Sequence, residues 1–394
     1  MKICFITPYY PPETKGGAEI SLKLLVEALV SLGHKIIVYT PNYLGGTKVE
    51  GENPKICKLK FGPDSVFSRT NPLSCRSFVS KILATGEEFE LIDAYLWYQP
   101  AKILSEKLKI PYICSIRDAT PICDFRVDVN PKYYPFFQYF SKRLSYGFSP
   151  RKIINSIYGY FLTRQNLKII SKASGLTFAS KALEKIFKKY NSYGEVINSV
   201  GLPNFKKKDV EIPGINFGND KVIVYAGRLS EGKGAGFLFE AAKRVILRDK
   251  NIKFIFIGDG PLMPKISDPK FRDNIFCLGK KPHDFVLNIV RNAKITVVPS
   301  LIFEGFPRMA VESVSLGIPV IGVNVGGIPE AIGKAGIIVD ITDPQVLTEE
   351  ILKIFDDEKL YQNLKSKTKF QAENFLPERI AKKVINVYKK VIYL

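Results

Sequence analysis

The sequence predicts an α/β protein made of two doubly wound parallel-sheet domains. Three observations predict this. Short runs rich in Val, Ile and Phe alternate with longer amphipathic stretches from end to end, and the alternation starts afresh after a Gly-, Pro- and Lys-rich interval near the middle. The length of 394 residues also exceeds what one hydrophobic core usually organises. Parallel neighbours need a crossover connection, and the amphipathic stretches supply it as helices.

The elements follow in order. Residues 1–9 carry a single lysine, and their apolar run meets Pro8 and Pro11 too early for a secretory leader, so 2–7 reads as a buried first strand. A helix is expected over 18–32 and a strand over 35–40, with a further strand at 112–116. A strand-like segment at 195–197 closes the first half. Pro203, Pro213, Gly214 and Gly218 mark 201–218 as a linker, which places the domains at 1–203 and 204–376. Six strands are expected in the second half, at 222–226, 253–258, 274–278, 295–299, 319–323 and 336–339. The chain ends in an amphipathic helix over 377–393. Two such Rossmann-like domains each offer a crevice at the carboxyl ends of their strands, so a ligand is expected in a central cleft between them.

Composition narrows the class. Hydrophobic residues at 46% and charged residues at 24% suit a packed globular protein and exclude a fibre or an extensively disordered chain. No run approaches the roughly 20 apolar residues needed to span a bilayer, so membrane contact is expected to be peripheral. The six cysteines, at 4, 57, 75, 114, 123 and 277, form no CxxC pair and several lie in apolar runs. Reduced, buried thiols in a cytoplasmic protein are the expectation. The net charge of +20 favours nucleotides, phospholipid head groups or nucleic acid as partners, with lysine chosen for solvated surface as the plain alternative.

The strongest chemical signal is Glu304-Gly-Phe-Pro-Arg-Met-Ala-Val-Glu312, after the strand near 294–299. Pro307 suits the first turn of a helix, which puts Glu304 at the strand's carboxyl end and Glu312 about a turn and a half into the helix. Both carboxylates can then accept hydrogen bonds from one polyhydroxyl ligand while the helix N-terminus faces its phosphate. The competing reading makes Glu304 a cap and Glu312 a solvated helix residue. A second signal is the loop from Gly227-Arg228 to Lys233-Gly234, between a strand and a helix. Glycine lets backbone approach a phosphate, Arg228 offers a fork of donors and Lys233 a mobile cation; a glycine-capped basic surface loop is the plain alternative. Glycine turns also fall at Gly258-Asp259-Gly260-Pro261 and at Gly326-Gly327-Ile-Pro-Glu330, where a simple tight turn is the alternative. In the first half Gly16-Gly17 lies between the first strand and the first helix without GxGxxG spacing, which disfavours a nicotinamide site.

Taken together and in this order, these five motifs resemble glycosyltransferase family four, the group 1 glycosyltransferases, along nearly the whole chain. The resemblance implies the two-domain GT-B fold, with the last helix, about 377–394, packing back on the first domain. It implies that the second domain binds a nucleotide-sugar donor, with Arg228 and Lys233 on the diphosphate, Glu312 on the ribose and Glu304 on the transferred sugar. Arg228, Lys233 and Glu304 are then the catalytic group. Gly16, Gly17, Gly227, Gly258 and Gly260 shape the nucleotide side. Transfer is expected to retain the anomeric configuration by front-face attack, with no resident cofactor and no metal. Many relatives carry a His-Asp pair after a strand of the first domain; here Arg117-Asp118 stands there, and neither His34 nor His283 fills the place. Arg117 and Asp118 are assigned to the sugar or acceptor side, with a structural ion pair as the alternative.

Residues 129–183 contain no Asp or Glu and nine Lys or Arg, and eleven aromatics fall within 133–161. Basic residues interleaved with aromatics suit a membrane's headgroup zone or single-stranded nucleic acid. Beside the motif set, the first is favoured: a glycan or lipid-linked acceptor, an anionic membrane surface met through 129–183, and a place on the cytoplasmic membrane face, with nucleic acid disfavoured. The alternative is that these aromatics fill the first domain's core. Competing functions are a nucleotide-sugar epimerase on the same fold, which the poor histidine supply disfavours, and a noncatalytic membrane- or nucleic-acid-binding protein.

Overall fold

The computed structural model describes the chain apart from residues 15, 44, 66–68, 123–131, 133–134, 136–137, 140, 142–149, 203–206, 341–342 and 394. The described residues form two compact units, one holding the chain up to Val200 together with Pro377–Leu394, the other Gly201–Leu376.

In the first unit the elements are β1 (Lys2–Ile6), α1 (Gly17–Ser31), β2 (Lys35–Asn42), β3 (Lys48–Glu50), β4 (Lys55–Lys60), α2 (Pro72–Leu83), β5 (Leu91–Tyr95), α3 (Tyr98–Leu108), β6 (Tyr112–Ile116), α4 (Pro150–Ser171), β7 (Gly175–Phe178), α5 (Lys181–Phe187) and β8 (Gly194–Val196). They build an eight-stranded sheet in the order β3-β4-β2-β1-β5-β6-β7-β8, parallel except for β3 against β4. β1, β5 and β6 are apolar along almost their whole length and buried, as strands covered on both faces must be.

The second unit contains β9 (Lys221–Ala226), α6 (Ala235–Arg248), β10 (Ile252–Ile257), α7 (Met263–Ile266), β11 (Ile275–Gly279), α8 (His283–Val290), β12 (Ile295–Val298), α9 (Arg308–Ser315), β13 (Val320–Val323), α10 (Ile328–Ile332), β14 (Gly336–Val339), α11 (Pro344–Asp356) and α12 (Glu358–Glu373). Its six strands run parallel in the order β11-β10-β9-β12-β13-β14. All six expected strands are present, each within a residue or two of its expected span. The strand order reverses between β9 and β12, which is where an open α/β sheet gathers its ligand site.

Two local expectations change. The interval 201–218 is not a free linker throughout: Ile212 is buried and, with Val210, Ile215 and Phe217, packs against Val222, Val224 and Ile255 on one face of the sheet. These spaced apolar residues cover sheet surface that would otherwise face water. Pro307 is the cap before α9 rather than a residue of its first turn, with extended backbone at ψ 115°, and the helix begins at Arg308.

The last helix, α13 (Pro377–Ile392), returns to the first unit. Ile380, Ala381, Val384, Val387 and Tyr388 share one core with Leu22, Val26 and Leu29 of α1 and with Ile3 and Phe5 of β1. That spacing is the apolar stripe of an amphipathic helix. Its polar anchor is the Tyr388 hydroxyl, which donates to Asp93 Oδ2 at 2.6 Å, both groups being buried. Burial pushes the Asp93 carboxyl above the usual carboxylate range, opposed by the bond from Tyr388 and the nearby Arg117 charge. The fold therefore favours the neutral acid, and this group's contribution falls as pH rises from about 4, its unfolded pKa, toward its raised native one. Removing the hydroxyl in Tyr388→Phe leaves Asp93 without that donor and is expected to cost about 1–3 kcal/mol in chemical denaturation of the full chain.

Candidate functional site

The second unit's site is assembled where β9 and β12 end side by side. β9 leads into 227–234, whose last residues Glu231–Lys233 form one 3₁₀ turn before α6, and β12 leads into 299–307 before α9. The amino ends of two helices thus follow neighbouring strands, and their unpaired amides and dipoles favour an anion there.

Backbone bonds tie these loops in place. The Leu301 amide donates to the Gly232 carbonyl at 2.9 Å, joining the two, and the Gly327 amide donates to the Glu304 carbonyl at 2.7 Å, holding the second loop to the turn before α10. Gly234, the residue before α6, has φ +71°, and a Cβ there would lie 1.8 Å from the Pro299 carbonyl oxygen. Gly326 has φ +56°, and its Cβ would meet the Glu304 carbonyl oxygen at 2.2 Å. Both positions therefore exclude a side chain for two independent reasons, handedness and contact.

This scaffold brings together two of the expected residues. Lys233 Nζ donates to Glu304 Oε1 at 2.5 Å across 71 residues of sequence, and the Ser300 hydroxyl donates to the same oxygen at 2.6 Å. Glu304 is mostly buried and Lys233 about one third exposed. Tyr225, at the end of β9, donates its hydroxyl to the Arg228 carbonyl at 2.7 Å; burial, and then the Glu304 charge, hold its phenol in the neutral form. Arg228 itself is exposed. Glu312 is no solvated helix residue: its side chain is 5% exposed, Oε1 accepts from His283 Nε2 at 2.6 Å, and the Arg308 guanidinium forms an ion pair with the same oxygen, Nε lying 2.6 Å away. His283 opens α8, so two helix amino ends meet at this carboxylate.

Other expected residues have plainer positions. Gly227 donates its amide to the Ile257 carbonyl. Gly258 (φ +140°) and Gly260 (φ +157°) pack against the carbonyl oxygens of Gly227 and Leu229, at 1.9 and 2.3 Å from an added Cβ. They support the 227–234 loop from behind. Gly16 precedes α1 and donates its amide to Glu19 Oε2 at 3.0 Å, with Gly17 the first helical residue. Arg117 is buried, donating to the Ile197 carbonyl at 2.8 Å and the Thr177 hydroxyl at 3.1 Å, with its guanidinium 5.1 Å from the Tyr95 ring. These contacts hold the end of β6 to β7 and to the segment after β8. Asp118 takes both the amide and the hydroxyl of Thr120, a local turn.

Sequence reasoning missed Ser300, His283 and Arg308. Arg308 was legible, because 308 and 312 face each other one helical turn apart. His283 was not, since 29 residues separate it from Glu312. Also missed was a cluster in the first unit, near the carboxyl ends of β1 and β4. The Tyr9 hydroxyl donates to Asp64 Oδ1 at 2.6 Å, and Arg69 bonds both and stacks on the Tyr9 ring at 5.1 Å. Burial and the Asp64 bond push the Tyr9 phenol up to about 12. Of the aromatics expected to meet a membrane or fill the core, Tyr139 and Tyr160 are buried against each other, whereas Phe161 is exposed. Tyr133, Tyr134, Phe136, Phe137 and Phe140 lie outside the described residues, as does Cys123.

Residues 207–371 match the family described as "Glycosyl transferases group 1". An uncharacterized glycosyltransferase of Methanocaldococcus jannaschii is 24% identical over 99% of this chain and 98% of its own. Among solved structures, HepE of Anabaena, in complex with UDP and glucose, superposes with a TM-score of 0.70 at 18% identity, covering 99% of this chain and 100% of its own. Sucrose-phosphate synthase of Thermosynechococcus elongatus gives 0.71 at 17% identity, covering 100% and 99%.

The glycine contacts predict a contrast in stability. Gly234→Ala should lower unfolding free energy by about 3 kcal/mol or more. Gly232→Ala, whose Cβ meets only Ile302 side-chain carbon at 3.2 Å, should cost under about 1 kcal/mol, both measured by urea denaturation. Fold, motif set and relatives agree: the chain has the two-domain GT-B fold and is similar to glycosyltransferases along its length, and its second unit carries the match to the group 1 family over residues 207–371.

Proposed function

We propose that the chain transfers a sugar from a nucleoside-diphosphate donor to a glycan or lipid-linked acceptor, with retention of anomeric configuration. The observation that carries this reading is the Lys233–Glu304 pair, set between the amino ends of α6 and α9 where the strand order reverses. The donor's diphosphate meets Arg228, Lys233 and the helix amides, while Glu304 is placed for hydroxyls of the transferred sugar. Glu312, gripped by Arg308 and His283, is an acceptor held in one orientation for the ribose hydroxyls.

Bond breaking leaves negative charge on the departing diphosphate. Two side-chain cations and two helix termini stabilise that charge, and this electrostatic contribution is the main catalytic one, with no resident metal required. In front-face attack the leaving phosphate oxygen takes the acceptor's proton as the new glycosidic bond forms on the same side, which retains configuration. The first unit's Tyr9, Asp64 and Arg69 offer both a ring face and polar groups for an acceptor. Among the described residues no helix is long and apolar enough to cross a membrane. A place on the cytoplasmic membrane face is therefore a matter of surface contact in this reading.

A donor screen tests it. One class of nucleotide sugar should raise the melting temperature and be consumed without added metal, UDP-glucose being the first probe because UDP and glucose occupy the structurally similar HepE. Lys233→Ala should lower turnover about 10²–10³-fold, as loss of one preorganised donor does. Glu312→Ala should abolish the thermal shift. NMR of the product anomer decides the stereochemistry: an inverted product would sink the front-face reading, and an unresponsive protein the donor site itself.

A further inference from the structure

One side of α4 carries exposed apolar side chains that the sugar-transfer chemistry does not use. Most of that helix packs inward through Ser156, Tyr160, Thr163, Leu167 and Ile170. Ile154, Ile157 and Phe161 instead stand 67%, 39% and 61% exposed. Their spacing of three and four puts them on one side of the helix, and Arg164 and Lys168 continue the same exposed side over the next two turns. Beside it, Leu73 at the start of α2 is 72% exposed, with Arg76 exposed one turn further on. The Thr70 and Tyr158 hydroxyls bond to each other and hold the start of α2 against the middle of α4.

Charge identifies the occupant. Residues 1–200 with 377–394 hold 33 Lys or Arg against 17 Asp or Glu, while 201–376 hold 25 against 21, so most of the chain's excess lies in the first unit. From 129 to 183 there is no acid at all. A second copy seated on this face would set like charge against like charge in a self-matched contact. Nucleic acid would find aliphatic Ile154 and Ile157 where stacking rings are needed. An anionic bilayer matches both halves, with acyl chains for the apolar turns and head groups for the cations.

We infer that α4 docks the first unit on an anionic lipid surface, inserting Ile154, Ile157 and Phe161 while Arg164 and Lys168 stay at phosphate level. This rests on the membrane-side part of the functional reading and is independent of the donor chemistry. In sedimentation, the full chain should pellet with phosphatidylcholine vesicles containing phosphatidylglycerol, weakly with phosphatidylcholine alone, and less at high salt. Ile154→Ser/Ile157→Ser/Phe161→Ser should reduce the partition coefficient at least about tenfold, and Arg164→Gln/Lys168→Gln about tenfold. Both variants replace exposed side chains and should keep the parent's melting temperature and its shift with donor, so failure here is distinguishable from failure of the sugar-transfer reading. Equal vesicle binding by parent and triple variant, or no binding of the parent to anionic vesicles, overturns the inference. So does a concentration-dependent dimer of the parent that the triple variant loses.

Discussion

The second unit's site depends on one constraint: β9 pairs with β10 along one edge and with β12 along the other. Chain order and spatial order part company there. Two loops that leave neighbouring strands in the same direction must then turn away on opposite sides of the sheet, opening a gap at the carboxyl ends. Everything polar in the gap is set by that arrangement. Lys233 comes from one loop and Glu304 from the other, and the amino ends of α6 and α9 flank them. The glycines maintain the spacing: Gly234 and Gly326 admit neighbouring carbonyls, while Gly258 and Gly260 brace the 227–229 backbone. An added methyl group at any of the four would push the two loops out of register.

Much of this was legible because it is local. Strands of four to six apolar, β-branched residues bounded by glycine announce themselves, and the Glu304 to Glu312 spacing reports a loop followed by a helix. The resemblance then supplied roles. What was illegible required tertiary knowledge. His283 reaches Glu312 only because α8 and α9 bring their first turns together, and no spacing rule predicts a contact over 29 residues. The interval 201–218 misled because proline and glycine signal irregular backbone and say nothing about burial; Ile212 and its apolar neighbours cover the sheet without forming a strand of it. Arg117 has neighbours that no local spacing announces: its side chain donates to the Ile197 carbonyl and the Thr177 hydroxyl and lies over the Tyr95 ring.

The first unit is organised around a different balance. Its sheet is covered on both faces, and α13 supplies part of that cover from the far end of the chain. A helix recruited over such a separation gains nothing from local chain connectivity, so its stripe of Ile380, Val384, Val387 and Tyr388 must carry the attachment, with the Tyr388–Asp93 bond fixing its rotation and register. Most of the excess basic charge is carried by the residues of this same unit, and a positive excess of that kind favours anionic partners in general.

Charge also bears on how the donor side works. Lys233 is neutralised by Glu304, and Arg308 by Glu312, so the side-chain charges of the pocket nearly cancel apart from exposed Arg228. A pocket of uncompensated cations would hold a diphosphate product as firmly as the donor, and tight ground-state binding does not raise turnover. Paired cations behave differently. The Lys233–Glu304 pair is hydrogen-bonded and Arg308–Glu312 is an ion pair, and a pair responds most strongly when an added negative charge competes for its cation. In the sugar-transfer reading proposed above, charge that grows on a leaving phosphate is such a competitor: as the glycosidic bond lengthens, Lys233 shifts its interaction from Glu304 toward the phosphate, and Glu304 toward the sugar's hydroxyls. On that reading the pairing makes the interaction stronger late in the reaction than at binding, which is the requirement for acceleration.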